Sequence, residues 1–299
     1  MPRRSTDRAP DGRRILRGGA PGWLSHRVAN GYPGADSLNA WSRAAFSGAV
    51  VVQPGRIGNR VRCIALIGLI HPGESGPELI VPVLERLLEN ESALLERCGV
   101  AAFPLVNADG RERQVAGVPH YLRTNAHGVD LNRNFPADWE QVETGYGLVS
   151  SDPDALTWRG PAPASEPETR AVMQWLKETR PEAVFSMHCL ASICSPVFLA
   201  SRRAEGDAAF TERSMRLLRP YTAGYYGDPA REPALRFAGS AGGLSHWLYR
   251  EGAIPAFDLE WDRDEATRPC INDGTTPEMV EACARAHYHG IRAVLKEIG

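Results

Sequence analysis

The sequence predicts a layered α/β fold, a mixed and mainly parallel central sheet sandwiched between helices. Three observations predict it. Short apolar runs bounded by turn residues alternate with longer segments whose apolar residues recur at helical spacing. One run, CIALIGLI at 63–70, is uninterrupted, as suits a strand covered on both faces. The chain has 299 residues, 43% hydrophobic and 23% charged, which is ordinary for a globular protein with a large buried core.

Residues 1–20, with Arg3-Arg4 and Arg13-Arg14, read as a solvated basic tail. A twin-arginine leader is rejected, because no apolar run follows either pair. Residues 21–47 carry turn residues and the aromatics Trp23, Tyr32, Trp41 and Phe46, and read as an extension packed on the main domain, 48–298. Within that domain GAVVVQ (48–53) reads as a strand and PGRIGN (54–59) as a turn. The strand at 63–70 follows, then a helix over 77–97 and a strand over 99–106. Residues 107–165 are dense in Asn, Gly, Pro and Asp and read mostly as loop; a loop of such length in a compact domain is usually functional. Ser165 and Glu168 have the spacing of a capping box and open a helix over 165–180. Strands at 182–187 and 195–200, a helix at 205–219, a strand at 253–260 and a closing helix at 277–297 complete the alternation.

Composition excludes several functions. Lys and Arg total 34 against 36 Asp and Glu, so the net charge of −2 argues against a general nucleic-acid binder. No apolar run reaches the roughly 18 residues of a membrane span. The six cysteines form no CxxC pair and lie mainly in apolar stretches, where a thiol packs as a small hydrophobe. The cytoplasm is the expected compartment.

Three strands lead into ionisable residues. CIALIGLI runs into His71-Pro-Gly-Glu74, EAVFSM into His188, and IPAFDL into Glu260. In open α/β sheets, sites form beyond the carboxyl ends of strands. Two histidines and two carboxylates are therefore delivered to one rim. Two His and one carboxylate with an open fourth position form a catalytic zinc pattern, and a second carboxylate can act as base. HxxE alone is weak, since a lone His after a strand is more often an ordinary buried or surface residue. The coincidence at three strand ends carries more.

Segment 107–136, NADGRERQVAGVPHYLRTNAHGVDLNRNFP, carries most. With HPGE at 71–74, SEPET at 165–169, GGLSHW at 242–247 and the strands ending in His188 and Glu260, it resembles the M14 zinc carboxypeptidases in order and rough spacing over about 48–298. The resemblance implies one zinc ion held by His71, Glu74 and His188, with Glu260 as general base and proton shuttle. Arg123 would polarise the scissile carbonyl and stabilise its oxyanion. Asn132 and Arg133 would hold the substrate's terminal carboxylate. Asp130 would accept a hydrogen bond from His71 and fix its tautomer. The implied substrate is a peptide or peptide-like molecule with a free carboxylate, for which a planar guanidinium fork is suited.

The chain departs from the pancreatic-type pattern in places. Gly73 stands where those members have an arginine before the zinc-binding glutamate. Their mobile tyrosine falls near Phe237 or Ala238 here; Tyr225 or Tyr226 could substitute for it, Tyr226 being the candidate for substrate binding, although aromatic packing is the more ordinary role for each. Ser245 occupies the side-chain pocket position. The compact NADG…GVDLNRNFP…SEPET run is similar to that of bacterial murein-peptide amidases, a subgroup that cleaves γ-D-glutamyl-diaminopimelate bonds. Two competing readings are an N-acyl amino-acid deacylase of the aspartoacylase and succinylglutamate desuccinylase type, and an inactive binding protein on the same fold. The deacylases append a β-rich domain, whereas a short segment and one helix follow Glu260 here. The full set of ligands and Glu260 speaks against the inactive protein.

Overall fold

The computed structural model describes residues 54–74, 76–115, 123–142, 148–188, 196–260 and 277–299. The strand expected at 48–53 and the readings of 1–20 and 21–47 lie outside the described residues, as do Cys189, Cys194 and Cys270. In chain order the elements are β1 (Gly55–Gly58), β2 (Cys63–Gly68), α1 (Pro77–Asn90), α2 (Ser92–Leu95), β3 (Gly99–Phe103), α3 (Ala108–Val115), α4 (Pro167–Thr179), β4 (Ala183–Met187), β5 (Val197–Ser201), α5 (Ala208–Tyr226), β6 (Ala234–Gly239), α6 (Leu244–Gly252), β7 (Ala256–Glu260) and α7 (Pro277–Ile298). The seven strands form one sheet in the order β1-β3-β2-β4-β7-β5-β6.

Four adjacent strands, β3, β2, β4 and β7, are parallel; β1 is antiparallel to β3, β5 is antiparallel to β7, and β6 is parallel to β5. This is the mixed, mainly parallel sheet that the sequence predicts. The apolar run of β2 is explained by its surroundings. Ile64 and Leu66 join the core on one face, with residues of α1, α5 and α7, while Ala65 and Ile67 join the core on the other, with Val172, Trp175 and Leu176 of α4 and Leu244, Trp247 and Leu248 of α6. A strand buried on both sides has no position for a polar alternation.

Four local expectations are corrected. GRIG at 55–58 is an edge strand rather than a turn, held by β3 despite its glycines. The segment taken as loop contains α3, whose ADGRERQV sequence has too few apolar residues to show a helical stripe. Ser165 and Glu168 do not form a capping box: helix α4 opens after Glu166 with Pro167 in its first turn and no side-chain cap. The Ser165 hydroxyl donates to Glu166 Oε1 at 2.7 Å, and Glu168 is approached by Asn125 Nδ2, so both side chains are taken by other contacts. The helix expected at 205–219 runs on through Pro220 to Tyr226 and closes on Gly227, whose positive φ of 68° suits glycine. Cys63, Cys98 and Cys283 are buried and in no disulfide among the described residues.

Helices α5 and α7 cover one face and enclose a polar group. The Tyr221 hydroxyl and His287 Nδ1 are hydrogen-bonded in the core, and Nε2 of that ring has no partner among the described residues. Burial pushes the His287 imidazole down to about 3, so the folded protein keeps it neutral. The unfolded chain, with an ordinary histidine near 6.5, binds a proton more readily across the interval between the two values. The contribution of His287 to stability is therefore complete above pH 6.5 and falls by about 1.4 kcal/mol per pH unit as the pH drops towards 3. Urea denaturation between pH 7 and pH 4 should show His287→Gln losing less stability on acidification than the unsubstituted protein. Parallel pH profiles for the two would show that His287 is not the group concerned.

Candidate functional site

The carboxyl ends of the parallel strands meet at one rim. Strand β2 ends at Gly68, and the chain turns through Leu69, at a φ of 52°, before reaching His71. The Asn107 side chain donates to the Ile70 carbonyl at 3.3 Å, and the Asn107 amide donates to the Leu69 carbonyl at 2.8 Å. Arg111 donates to the Pro72 carbonyl at 3.1 Å and pairs with Glu78. A Cβ on Gly110 would lie 2.3 Å from Pro72 Cγ, so NADG needs its glycine for this close approach. The NADGR segment thus grips the HPGE turn from outside.

Strand β4 delivers His188, the residue after its end, against that turn. The Nδ1 atoms of His71 and His188 lie 2.9 and 2.8 Å from Glu74 Oε2, and the two rings meet edge to face with centroids 5.1 Å apart. All three side chains are buried, and their candidate ligand atoms lie within 4.8 Å of one another. These are the three zinc ligands that the sequence suggests.

The donor set fits zinc by its chemistry: two imidazole nitrogens and one carboxylate, buried and converging. Among the described residues His71 Nδ1 is buried without a hydrogen-bond partner, its approach to Glu74 being an ion contact. The local field also suits a cation. Burial opposes the charge of Glu74, but His71 and His188 hold its carboxyl well below the usual range. Burial would lower His188, but Glu74 and Asp258 raise it well above an ordinary histidine.

Behind His71 lies Asp130. His71 Nε2–H donates to Asp130 Oδ1 at 3.0 Å, and Arg123 Nε donates to Oδ2 at 2.6 Å. The Asn132 amide also donates to Oδ1, at 3.0 Å, which starts the short 3-10 turn Leu131–Arg133. Burial disfavours the charge on Asp130, but Arg123, His71 and Arg133 hold it far below the usual carboxylate range.

That turn places Asn132 and Arg133. Asn132 Oδ1 accepts from the Leu244 amide at 2.9 Å, and its Nδ2 approaches Asp258 Oδ2 at 3.4 Å. Arg133 is buried and donates to the Asn132 carbonyl at 2.7 Å; burial lowers its affinity for the proton, while Asp130, Asp258 and Glu260 act to raise it. Gly242 packs against this turn at a φ of 69°, and a Cβ there would lie 2.1 Å from the Arg133 carbonyl oxygen. Gly242 is therefore a backbone requirement. The next asparagine, Asn134, ties the turn to Arg159, Ala162, Ser165 and Glu166 and is structural.

Glu260 ends β7, a quarter exposed, with Oε1 3.9 Å from His188 Nδ1. Ser245 is buried in the first turn of α6 and donates to Asp258 Oδ2 at 3.3 Å. Tyr226 is not brought to this group by the contacts it makes. Its ring meets Tyr225 at 4.9 Å with the Arg231 guanidinium above it, beside the core on the sheet face opposite Val184 and Ala256. Phe237 and Ala238 belong to edge strand β6.

Asp258 escapes a sequence reading that stops at strand ends. It lies two residues before Glu260, as Ser186 lies two before His188, and period-two alternation puts both on the site's side of the sheet. That alternation is the signal that could have found them.

Residues 52–268 match the zinc carboxypeptidase family, Peptidase_M14. The chain belongs to that family. Its intact His71, Glu74 and His188 set identifies zinc as the metal. The chain is similar to murein peptide amidase A of Escherichia coli K12, 46% identical over 125 residues, which are 40% of this chain and 48% of that protein. It is also similar to the carboxypeptidase N catalytic chain of Rattus norvegicus, 34% identical over 141 residues, 42% of this chain and 30% of the relative. The alignments thus span about half or less of these relatives. In structure it is similar to bovine thrombin-activatable fibrinolysis inhibitor at a TM-score of 0.63 and 18% identity, covering 82% of this chain and 84% of that one. Carboxypeptidase A from Helicoverpa armigera gives 0.61 at 18% identity, covering 82% and 64%. These last two show the fold.

Removing the carboxylate behind a metal-binding histidine typically costs 10–100-fold in metal affinity. Asp130→Asn should weaken zinc binding by about that factor, measured by competition with a chromogenic chelator. Unchanged affinity would mean that Asp130 does not orient His71.

Proposed function

We propose that the protein is a zinc-dependent hydrolase that releases the last residue of a peptide or peptide-like substrate bearing a free carboxylate. The observation that carries this reading is one juxtaposition: Glu260 stands 3.9 Å from a nitrogen of the buried His71–Glu74–His188 cluster, while a buried arginine lies one turn from Asp130. Zinc bound at the cluster supplies Lewis acidity, which activates water at neutral pH and polarises a carbonyl.

The chain's own residues do the rest. Glu260, a quarter open to solvent, takes a proton from the attacking water and passes it to the departing amine nitrogen. Arg123, anchored through Nε on Asp130, offers its guanidinium to the oxygen that becomes negative as water adds to the scissile carbonyl. Asn132 and Arg133 receive the substrate's terminal carboxylate. The environment of Arg133 suits this: a desolvated guanidinium gains more from a bound anion than an exposed one does. Ser245 lines the pocket for the side chain of the released residue. The domain that carries this chemistry is the one expected over 48–298, and the cytoplasm is its expected compartment.

A murein-derived peptide is the substrate class we favour, with a γ-D-glutamyl-diaminopimelate bond as the target. Support comes from the 46% identity to murein peptide amidase A and from the compact NADG…GVDLNRNFP…SEPET run. Mass spectrometry of products from a mixture of such peptides and ordinary α-peptides tests it: preferential loss of diaminopimelate is expected, and equal or preferential cleavage of α-peptides would redirect the assignment.

Two substitutions test the mechanism. Glu260→Gln is nearly isosteric but cannot accept the proton, so kcat should fall about 10²–10⁴-fold with zinc content unchanged. A near-normal kcat would remove Glu260 from the role of base. The carboxylate clamp is read by comparing kcat/KM for the free-acid and C-terminally amidated forms of one good substrate. The free acid should be preferred at least about tenfold, as the loss of a charge-assisted pair of 1.5–3 kcal/mol implies, and Arg133→Ala should abolish most of that preference. Equal rates on both forms by the unsubstituted enzyme would defeat the exopeptidase reading.

A further inference from the structure

We infer that Asp258 is a positioning residue for His188, completing for the second histidine what Asp130 does for the first. The inference rests on the zinc-site reading of His71, Glu74 and His188, and concerns a carboxylate two residues before the proposed base.

His188 turns Nδ1 towards Glu74, so its Nε2 points back into the protein, where it meets Ser186 Oγ at 3.1 Å and Asp258 Oδ1 at 3.5 Å. Oδ1 of Asp258 is buried and has no hydrogen bond among the described residues; the nitrogen that faces it is His188 Nε2, an ion contact at 3.5 Å. Oδ2 accepts from the Ser245 hydroxyl at 3.3 Å and approaches Asn132 Nδ2 at 3.4 Å. Asn132 is fixed in turn, because its Oδ1 accepts from the Leu244 amide. The carboxylate is thus anchored on one oxygen by α6 and the 3-10 turn, leaving the other to confront the imidazole.

The donor inventory explains why a carboxylate stands here. An imidazole that gives Nδ1 to a metal carries its proton on Nε2 and must donate. Asn132 Nδ2 is also a donor, and the Ser245 hydroxyl donates in this arrangement. Three donors converge on one side chain. Aspartate, acceptor on both oxygens, has the capacity to accept from all three, whereas asparagine in either orientation sets an N–H₂ against at least one of them. The negative charge behind the ring also makes Nδ1 a stronger donor to a cation. Ser186 is the weaker partner, since its hydroxyl is neutral and can rotate.

The experiment measures zinc affinity and the imidazole protons, without substrate, so its outcome is separate from the success or failure of the peptidase reading. Chelator competition should show Asp258→Asn binding zinc about 10–100-fold more weakly, and Ser186→Ala less than about threefold more weakly. In a His188→Ala background, Asp258→Asn should cause no further loss, because its effect passes through the missing ring. Unchanged affinity in Asp258→Asn, an equal loss in the His188→Ala background, or a loss in Ser186→Ala as large as that in Asp258→Asn would each overturn the assignment. Should Asp258→Asn not fold, NMR of the unsubstituted zinc protein with ¹⁵N-labelled histidine decides. An exchange-protected Nε2–H is expected on His188 as on His71, and a His188 ring protonated on Nδ1 would overturn the inference.

Discussion

The site depends on keeping one aspartate ionised inside the protein. Asp130 is fully buried, and an isolated carboxylate in that position would take up a proton. It stays charged because Arg123, His71 and the Asn132 amide all direct donors at it. Each donor belongs to a different part of the proposed chemistry: the polariser of the carbonyl, a zinc ligand, and the turn that carries the carboxylate clamp. Geometry fixed at Asp130 is therefore transmitted to all three. The same turn is locked from the opposite side by Gly242, which admits no side chain against the Arg133 carbonyl.

The architecture provides the platform. Four parallel strands end at one rim, and His188 and Glu260 come from neighbouring members, β4 and β7. His71 and Glu74 come from a turn beyond β2 that the NADGR segment clamps through Asn107 and Arg111. The apolar cores on both faces hold the strands in register. The polar groups of the site lie on the face shared with α4 and α6, and the other face, under α5 and α7, is given to aromatic packing around Tyr221.

Much of this is legible in the sequence, for physical reasons that differ by element. The run CIALIGLI can be read because a doubly covered strand excludes polar residues. His71, Glu74, His188 and Glu260 can be read because they follow apolar runs. Strand β1 is hidden, since GRIG has two glycines and no alternation and is a strand only because β3 supplies its partners. Helix α3 is hidden by its polarity. Ser165 and Glu168 have cap spacing, but the side chains are drawn into contacts with Glu166, Asn134 and Asn125 that only the folded chain provides. Asp258 is hidden because one acidic residue in an apolar strand looks like an interruption, and its meaning depends on neighbours 70 and 126 positions away along the chain.

The spacing of the zinc ligands has a consequence for folding. His71 and Glu74 are three residues apart on one turn, whereas His188 is 114 positions beyond Glu74 and arrives only when β4 pairs with β2. An unfolded chain offers the metal at most the local pair, so the third ligand is a property of the assembled sheet. Zinc held by all three therefore favours the state in which β2 and β4 are joined, and the free energy of that third bond is shared with the strand pairing. The metal ion acts as a cross-link between two distant stretches of chain, closing a loop of more than a hundred residues at the centre of the sheet.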